Sequence, residues 1–184
     1  MKKPVSFGFF SALVMCPLIG VCQNHPSNNE VEASSVVQKF VEFDFQGYRL
    51  DSEGHQAIWK LTIEDGAPPE NPVFVVKKFR IGSPQRTRGG SFRVPVDFEV
   101  RGLVTEGVNG LYFRRQVSVM KAVFPVQCLH DGCRIDLNRN VFDVSPHVGK
   151  EAASMWLKGL ADIRQTAQEK EAALRLYEQV SSSQ

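Results

Sequence analysis

Two cysteines and a histidine lie close together in the segment QCLHDGCRI, residues 127–135. Cys128, His130 and Cys133 carry atoms that can bind zinc, form a reactive thiol pair or join in a disulfide. A structural zinc site needs four ligands, and this cluster offers at most three, with no second cluster in the sequence. A redox pair is typically spaced C-x-x-C at the start of a helix, whereas strand-like residues flank this wider spacing.

A disulfide between Cys128 and Cys133 is the chemistry that fits best. The other two cysteines, Cys16 and Cys22, lie in an N-terminal segment that we expect to be removed, so one pair remains. Strands of a tight hairpin bring paired α-carbons within the range of about 4.4–6.8 Å that a disulfide requires. We therefore predict a disulfide-pinned hairpin with its turn at 130–132, in an oxidising compartment.

The histidines and carboxylates give weaker signals. No two histidines have the i, i+4 spacing of metal ligands on a helix, and no carboxylate pair accompanies them, so we predict no metal site and no cofactor. His55, in SEGHQ, is interpreted as a surface residue, with an acid–base role in a pocket as the alternative. His147 follows Ser145-Pro146 and is predicted to lie in the first turn of a helix.

Residues 1–22 have the organisation of a secretory signal peptide. Two lysines precede the uncharged run VSFGFFSALVMCPLIGV, which Pro17 interrupts and which is too short to predict a membrane span. Gly20 and Cys22 are small residues where a signal peptidase reads the chain, so we predict cleavage after Cys22 and secretion, to the periplasm. Lipid attachment at Cys22 is the alternative, but Val21 is branched where that signal requires a small residue.

Cleavage after residue 22 would leave a chain without net charge. Its 22 lysines and arginines fall to 20, which equals its 20 aspartates and glutamates. A neutral chain lacks the counterion-release drive toward nucleic acid, so we predict no nucleic-acid partner. After removal of the signal segment we also predict no membrane association. The local cluster RIGSPQRTRGG contains glycine and proline but no aromatic residue, and we interpret it as a solvated loop, with contact to an anionic partner as the alternative.

The cysteines, histidines and carboxylates discussed above must be positioned by the secondary structure. The sequence predicts helices at both ends of the mature chain and strands between them. Apolar residues recur at helical spacing from Val36 to Phe45, with a cap at Ser34 or Ser35 and an end at Gly47. A weaker helical segment covers about 52–63. Segregated helices and strands are typical of the α+β class.

Strands are predicted at 73–81, 91–104, 111–127 and 133–138. Alternation is clearest in SFRVPVDFEVRGLV, where one face carries only apolar residues: Phe92, Val94, Val96, Phe98 and Val100. The alternation of the next strand slips between Val119 and Ala122, which predicts a bulge there.

Residues 145–184 are predicted to form one long helix or two helices joined near Gln165. Two apolar stripes follow one another along it: Met155, Trp156, Leu160 and Ile163, then Ala173, Leu176, Tyr177 and Val180. We expect these stripes to pack on the sheet of the same chain, with a partner helix as the alternative. The predicted organisation is a signal peptide at 1–22, a flexible leader at 23–32, an α+β domain at 33–144 and a helical extension at 145–184.

The segments SSVVQKFVEFDFQGYRLDSEG, FVVKKFRI, FRVPVDFEVRG and QVSVMKAVFPVQ resemble the nuclear-transport-factor-2-like superfamily over about residues 33–138. The resemblance implies a strongly curved antiparallel sheet wrapped into a cone around N-terminal helices, the cystatin-like architecture. The long C-terminal helix lies outside the usual core of that family. Many unrelated activities share this fold, so the resemblance alone implies no function.

The ketosteroid isomerases of this superfamily allow a comparison residue by residue. Asp65, in TIEDGAP, resembles their general base, but Phe40 stands where they carry a hydrogen-bonding tyrosine. Their second donor, a protonated carboxyl, would fall near Val119 or Met120, where no donor exists. Loss of one such donor costs about 3 kcal/mol of transition-state stabilisation, which argues against this chemistry here.

We therefore predict a secreted, non-catalytic domain that binds a small apolar ligand or a protein partner, with a homodimer left open. The candidate ligand contacts are Phe40, Trp59, Phe98 and Tyr112. The alternatives are an isomerase- or dehydratase-like enzyme that uses Asp65 or His55, and a component of a cell-envelope assembly. A hollow concave face would favour a ligand or an enzyme, and an exposed apolar stripe on 155–180 would favour a partner.

Overall fold

The computed structural model describes residues 27–50, 57–58, 60–63, 72–107, 110–137 and 145–183. Its helices are α1 (Asn28–Phe45), α2 (Lys150–Ile163) and α3 (Ala167–Ser181), with a short 3-10 helix at Tyr48–Leu50. Its strands are β1 (Val73–Ile81), β2 (Gln85–Arg86), β3 (Phe92–Gly107), β4 (Gly110–Leu129), β5 (Gly132–Ile135) and β6 (His147–Gly149). The α+β class is confirmed, and the strands form one strongly curled mixed sheet.

The strand order is β5-β4-β3-β1-β6, and β2 forms a two-residue ladder with β3. Neighbouring strands are antiparallel except β6, which runs parallel to β1. The predicted apolar face of β3 is confirmed, because its five inward residues are at most 2% exposed: Phe92, Val94, Val96, Phe98 and Val100. Alternation of this kind identifies a strand with one buried face.

The predicted bulge in β4 lies earlier than the sequence indicates. The ladder is regular from Val119 to Ala122, and residues 116–117 of β4 instead face the single residue Arg101 of β3. A bulge bends the strand and increases its local twist. The prediction was wrong in position because the exposed valines Val117 and Val119 obscure the alternation on which it relied.

The sheet is covered on both faces at β1. Phe74 and Val76 belong to the core that contains α1, whereas Val73 and Val75 belong to the core that contains α2 and α3. Successive residues of a strand point to opposite faces, so a strand between two layers is apolar throughout. This explains the unbroken run VFVV at the start of β1.

α1 begins earlier than predicted. Ser27 is its cap: the Ser27 hydroxyl accepts a hydrogen bond from the Glu30 backbone, and the Glu30 carboxylate accepts one from the Ser27 backbone. This reciprocal capping box satisfies two backbone donors of the first turn, so the helix extends beyond Ser34 and Ser35. Gly47 follows the helix end as expected, with a φ of +83° that favours glycine.

The helix predicted from Ser145-Pro146 is wrong at its start. The Phe74 backbone N–H donates to the Pro146 carbonyl, and residues 147–149 continue as the parallel strand β6 beside β1. α2 therefore begins only at Lys150. His147, expected in a first helical turn, is a buried strand residue.

The C-terminal region is two helices, which was one of the two predicted forms. The capping box of Thr166 and Glu169 starts α3. The second predicted stripe is confirmed in that Ala173, Leu176 and Val180 are buried.

The first stripe is confirmed only in part, because Trp156 and Leu160 pack against the second core while Met155 and Ile163 do not. Met155 is 68% exposed and Ile163 is 74% exposed, whereas α2 buries Ala153, Leu157 and Ala161. Small residues on the inner face allow α2 to lie close to its neighbours, which a search for large apolar residues misses.

The Cys128–Cys133 disulfide is confirmed. The two residues face each other across the β4–β5 hairpin, and the turn contains Gly132 with a φ of +127°. The hairpin also contacts the start of α1, because the Cys133 backbone donates a hydrogen bond to the Glu32 carboxylate over 3.0 Å.

Candidate functional site

The concave face of the sheet is filled by aromatic side chains in the part of the chain that the structure describes. Phe40 of α1 and Phe98 of β3, two of the predicted ligand contacts, are both 0% exposed. The Phe40 ring packs on Phe124 of β4, with 5.6 Å between ring centroids. Phe40 and Phe98 are therefore core residues of the domain.

Of the other candidate residues, the structure describes only Tyr112, which is not part of this core. Tyr112 lies near the start of β4 and is 48% exposed, in register with Thr105. Trp59, Asp65 and His55 lie outside the described residues, so a role for them in binding or catalysis stays a prediction.

A buried ion pair connects α1 to the 3-10 helix. Asp44 lies in the last turn of α1, and both of its carboxylate oxygens accept hydrogen bonds from the Arg49 guanidinium. Asp44 is 1% exposed and Arg49 is 2% exposed. The guanidinium also lies 5.2 Å from the centroid of the Phe40 ring, in a cation–π contact. A two-bond pair of this geometry fixes both side chains.

His147 extends this pair to β6. Its ring stacks between Phe98, at 4.1 Å between centroids, and Phe74, at 5.5 Å, with both planes 14° apart. Its backbone N–H donates to the Asp44 carboxylate over 3.2 Å, and its Nδ1 lies 3.9 Å from the same oxygen. Asp44 thereby joins α1, the 3-10 helix and β6, and we call Asp44, Arg49 and His147 the buried triad.

The ionisation of the triad follows from its burial and its charges. Burial lowers the pKa of His147 and outweighs the opposing effect of Asp44, so the imidazole is neutral. For Asp44, burial acts to raise the pKa, but the Arg49 charge and the hydrogen bonds from His147 and Arg49 lower it below its usual value. The triad therefore contains one anion, one cation and one neutral ring.

A carboxylate beside an imidazole is an arrangement that general bases use, but a base must reach the proton it removes. His147 and Asp44 are each only 1% exposed, and the rings of Phe74 and Phe98 cover both faces of the imidazole. The arrangement fits a structural role, which is to fix the end of α1 against the sheet.

Sequence reasoning did not find the triad: of its three residues it singled out only His147, and it placed that residue in a helix. Asp44 lies four residues after Phe40, on the buried face of α1, and a carboxylate at such a position requires a partner. The spacing from Phe40 could therefore have identified Asp44 as a buried carboxylate. Its contact with His147 could not be predicted, because the two residues are 103 positions apart in the sequence.

A groove with exposed apolar side chains lies between the 3-10 helix and α2. We call it the α2 groove; its volume is about 580 Å³. Met155 and Ile163 project beside it, and Tyr48 on the opposite wall is 46% exposed. The floor contains the half-buried Trp156 and Leu160. Large apolar side chains grouped in this way are typical of surfaces that contact a partner.

Within the described ranges no group of three or more histidine, cysteine, aspartate or glutamate side chains is placed to hold a metal ion. No helix in the described part of the chain is long and apolar enough to cross a membrane. No family model, no curated protein and no solved structure matches this chain.

Proposed function

We propose that the mature chain is an exported, non-catalytic domain that binds a protein partner through the α2 groove. The observation that carries the proposal is the contrast between two apolar surfaces. The concave face holds Phe40 and Phe98 at 0% exposure, whereas the α2 groove leaves Met155 and Ile163 more than two-thirds exposed, at 68% and 74%.

A protein partner suits this groove better than a small ligand does. Ligand sites typically enclose most of the ligand in a concave pocket, whereas two of the four predicted ligand contacts, Phe40 and Phe98, are buried in the core of the domain. The α2 groove is open, and its most exposed side chains stand at its rim. A protein surface can cover Met155 and Ile163 together, although they lie eight residues apart on α2.

Export is supported by two independent features. The first 22 residues have the basic, apolar and polar order of a signal peptide. The Cys128–Cys133 pair forms a disulfide, and disulfides persist in oxidising compartments outside the cytosol. The order of a helix followed by a curled sheet supports membership of the nuclear-transport-factor-2-like superfamily, which is also a proposal.

Site-specific photocrosslinking in cells that produce the full chain tests the proposal. A photoreactive phenylalanine analogue at Met155 should yield a covalent adduct with a protein, because this position would lie within the contact. Val119 on β4 is the matched control, since it is an apolar residue with 73% exposure that does not line the groove. We expect no adduct from position 119.

Two outcomes would contradict the proposal: an exported, folded chain without an adduct at position 155, and equal adduct yields at 155 and 119. The disulfide gives the folding criterion, because alkylation without prior reduction should find no thiol in the folded protein.

A further inference from the structure

The exposed side of α2 has a stepped shape. Met155, Gly159 and Ile163 are spaced four residues apart, and such residues lie one above the other along a helix. Met155 and Ile163 are the two most exposed large apolar residues of α2. Between them Gly159 is exposed, and a Cβ at this position would meet no atom within 4 Å. The face therefore consists of two projections with a notch between them.

This shape is complementary to itself when two copies of α2 run antiparallel. With Gly159 of both copies near a two-fold axis, Met155 of each copy lies opposite Ile163 of the other. The absence of a side chain at Gly159 lets the helix axes approach closely at the crossing, where interaxial distance depends on the contacting side chains. An interface about a two-fold axis must be complementary in this sense, because both copies present the same patch.

The charges at the border of the face select the same orientation. Lys158 and Asp162 are exposed on one flank of α2, and Trp156 and Leu160 lie on the other flank. In the antiparallel arrangement each flank meets the same flank of the second copy with its direction reversed. Lys158 of each copy then lies within one helical turn of Asp162 of the other.

A parallel arrangement about a two-fold axis would have the opposite effect. It would place Lys158 and Asp162 of one copy against Trp156 and Leu160 of the other, so charges would lose water without gaining partners. The order of the charged residues on α2 thus favours the antiparallel geometry.

We infer that the partner in the α2 groove is a second copy of this chain, bound through antiparallel α2 helices about a two-fold axis. The inference rests on the proposed function, since it names the partner of the same surface. The interface pairs Lys158 with Asp162 twice and Met155 with Ile163 twice. Tyr48 stands at its edge.

Charge exchange tests the pairing directly. The mature protein should sediment as a dimer that dissociates on dilution. Lys158→Glu and Asp162→Lys should each raise the dimer dissociation constant by roughly tenfold, because each places two like-charged pairs in the interface. The double variant Lys158→Glu/Asp162→Lys should return the constant to the wild-type range, because the pairs are restored with exchanged signs.

Mixing the two single variants gives the sharpest outcome. A Lys158→Glu copy and an Asp162→Lys copy are complementary to each other, so the mixture should form a heterodimer tighter than either homodimer. Only an antiparallel pairing of α2 with itself predicts this result. Thermal unfolding of each variant, followed by circular dichroism, controls for damage to the fold, which we do not expect at exposed positions.

A mature protein that is monomeric at all concentrations, or a dimer whose dissociation constant neither single substitution changes, would overturn the inference. The adduct at position 155 separates this failure from that of the proposed function. An adduct with a different protein would refute the homodimer and leave the proposed function standing, whereas no adduct would refute both. An adduct of twice the mass of the chain, together with rescue by the double variant, supports both.

Discussion

Arg49 is only 2% exposed, so its guanidinium lies among side chains that exclude water. Its charge is tolerated because Asp44 accepts two of its hydrogen bonds and the Phe40 ring lies beside it. Replacing such a pair by apolar residues is often neutral, while removing one partner is costly. At the residue scale, the main effect of the triad is therefore to fix the position at which α1 ends. Its net contribution to the free energy of unfolding is small.

His147 should make the stability of the protein depend on pH. Burial keeps its pKa below the ordinary value of 6.5 in the folded protein, so below that pH the unfolded chain binds a proton that the folded chain does not. The free energy of unfolding should be flat above pH 6.5 and fall as the pH drops below it, by at most about 1.4 kcal/mol per pH unit. Urea unfolding at a series of pH values measures this slope.

The variant His147→Phe tests the assignment, because it keeps a planar ring between Phe74 and Phe98 but cannot bind a proton. Its slope between pH 6.5 and pH 3.8, the ordinary value for Asp44, should be smaller than that of the wild type. His130→Gln is the matched control for the loss of one imidazole, because His130 is exposed in the hairpin turn whereas His147 is buried. An unchanged slope in His147→Phe would refute the assignment.

At the scale of single elements, the close approach of β3 and β4 beside their bulge depends on Gly102. A Cβ at this position would lie 2.5 Å from the Phe113 ring and 2.6 Å from the Arg114 carbonyl oxygen. Gly102→Ala should therefore shift the ring or the backbone and lower the free energy of unfolding by about 1–3 kcal/mol. A lower urea midpoint with an unchanged m-value would report it.

Gly89→Ala is the matched control, since it lies in the exposed turn before β3 and a Cβ there would meet nothing within 4 Å. It should unfold at the wild-type midpoint. Equal urea midpoints of the two variants would contradict the prediction, because they would show that the Phe113 ring moves aside without loss of stability.

The elements differ in how far local sequence determines them. β3 was predictable because each inward position carries an apolar residue over a long run, and its period of two has no helical alternative. β6 was not, because three residues are too few for a period and Ser145-Pro146 is a favourable helix start. Its hydrogen bonds with β1 decide its conformation, and they join residues more than seventy positions apart, such as Phe74 and Pro146.

The candidate site was predictable to a smaller extent. Phe40 and Phe98 have the residue type of a ligand pocket, but the same type fills a core, and only packing distinguishes the two. The sequence predicts that Met155 and Ile163 pack on the sheet, because large apolar residues usually lie inside. The small residues Ala153 and Ala161 are buried instead. The disulfide was predictable because the hairpin places both cysteines opposite each other.

At the scale of the whole molecule, one sheet separates two cores. α1 lies against the concave core and α2 and α3 lie against the other, and β6 leads the chain from the first to the second. The triad lies at this crossing, close to the start of α2. The exposed face of α2 points away from both cores, so a partner there would add a third apolar contact without disturbing the fold.

Processing of the chain is the prediction that concerns the whole molecule. Produced from its full sequence in a bacterium with two membranes, the protein should appear in the periplasm as residues 23–184, with no added lipid. Its intact mass should be lower by two hydrogens than the mass of the reduced chain, because Cys128 and Cys133 are joined. Alkylation should add two groups only after reduction.

The variant Cys128→Ser/Cys133→Ser is the control, with the same cleavage site and no alkylation. A retained N-terminus would contradict cleavage after Cys22, and a lipid mass on Cys22 would contradict release of the mature chain. Two free thiols in the folded protein would contradict export to an oxidising compartment.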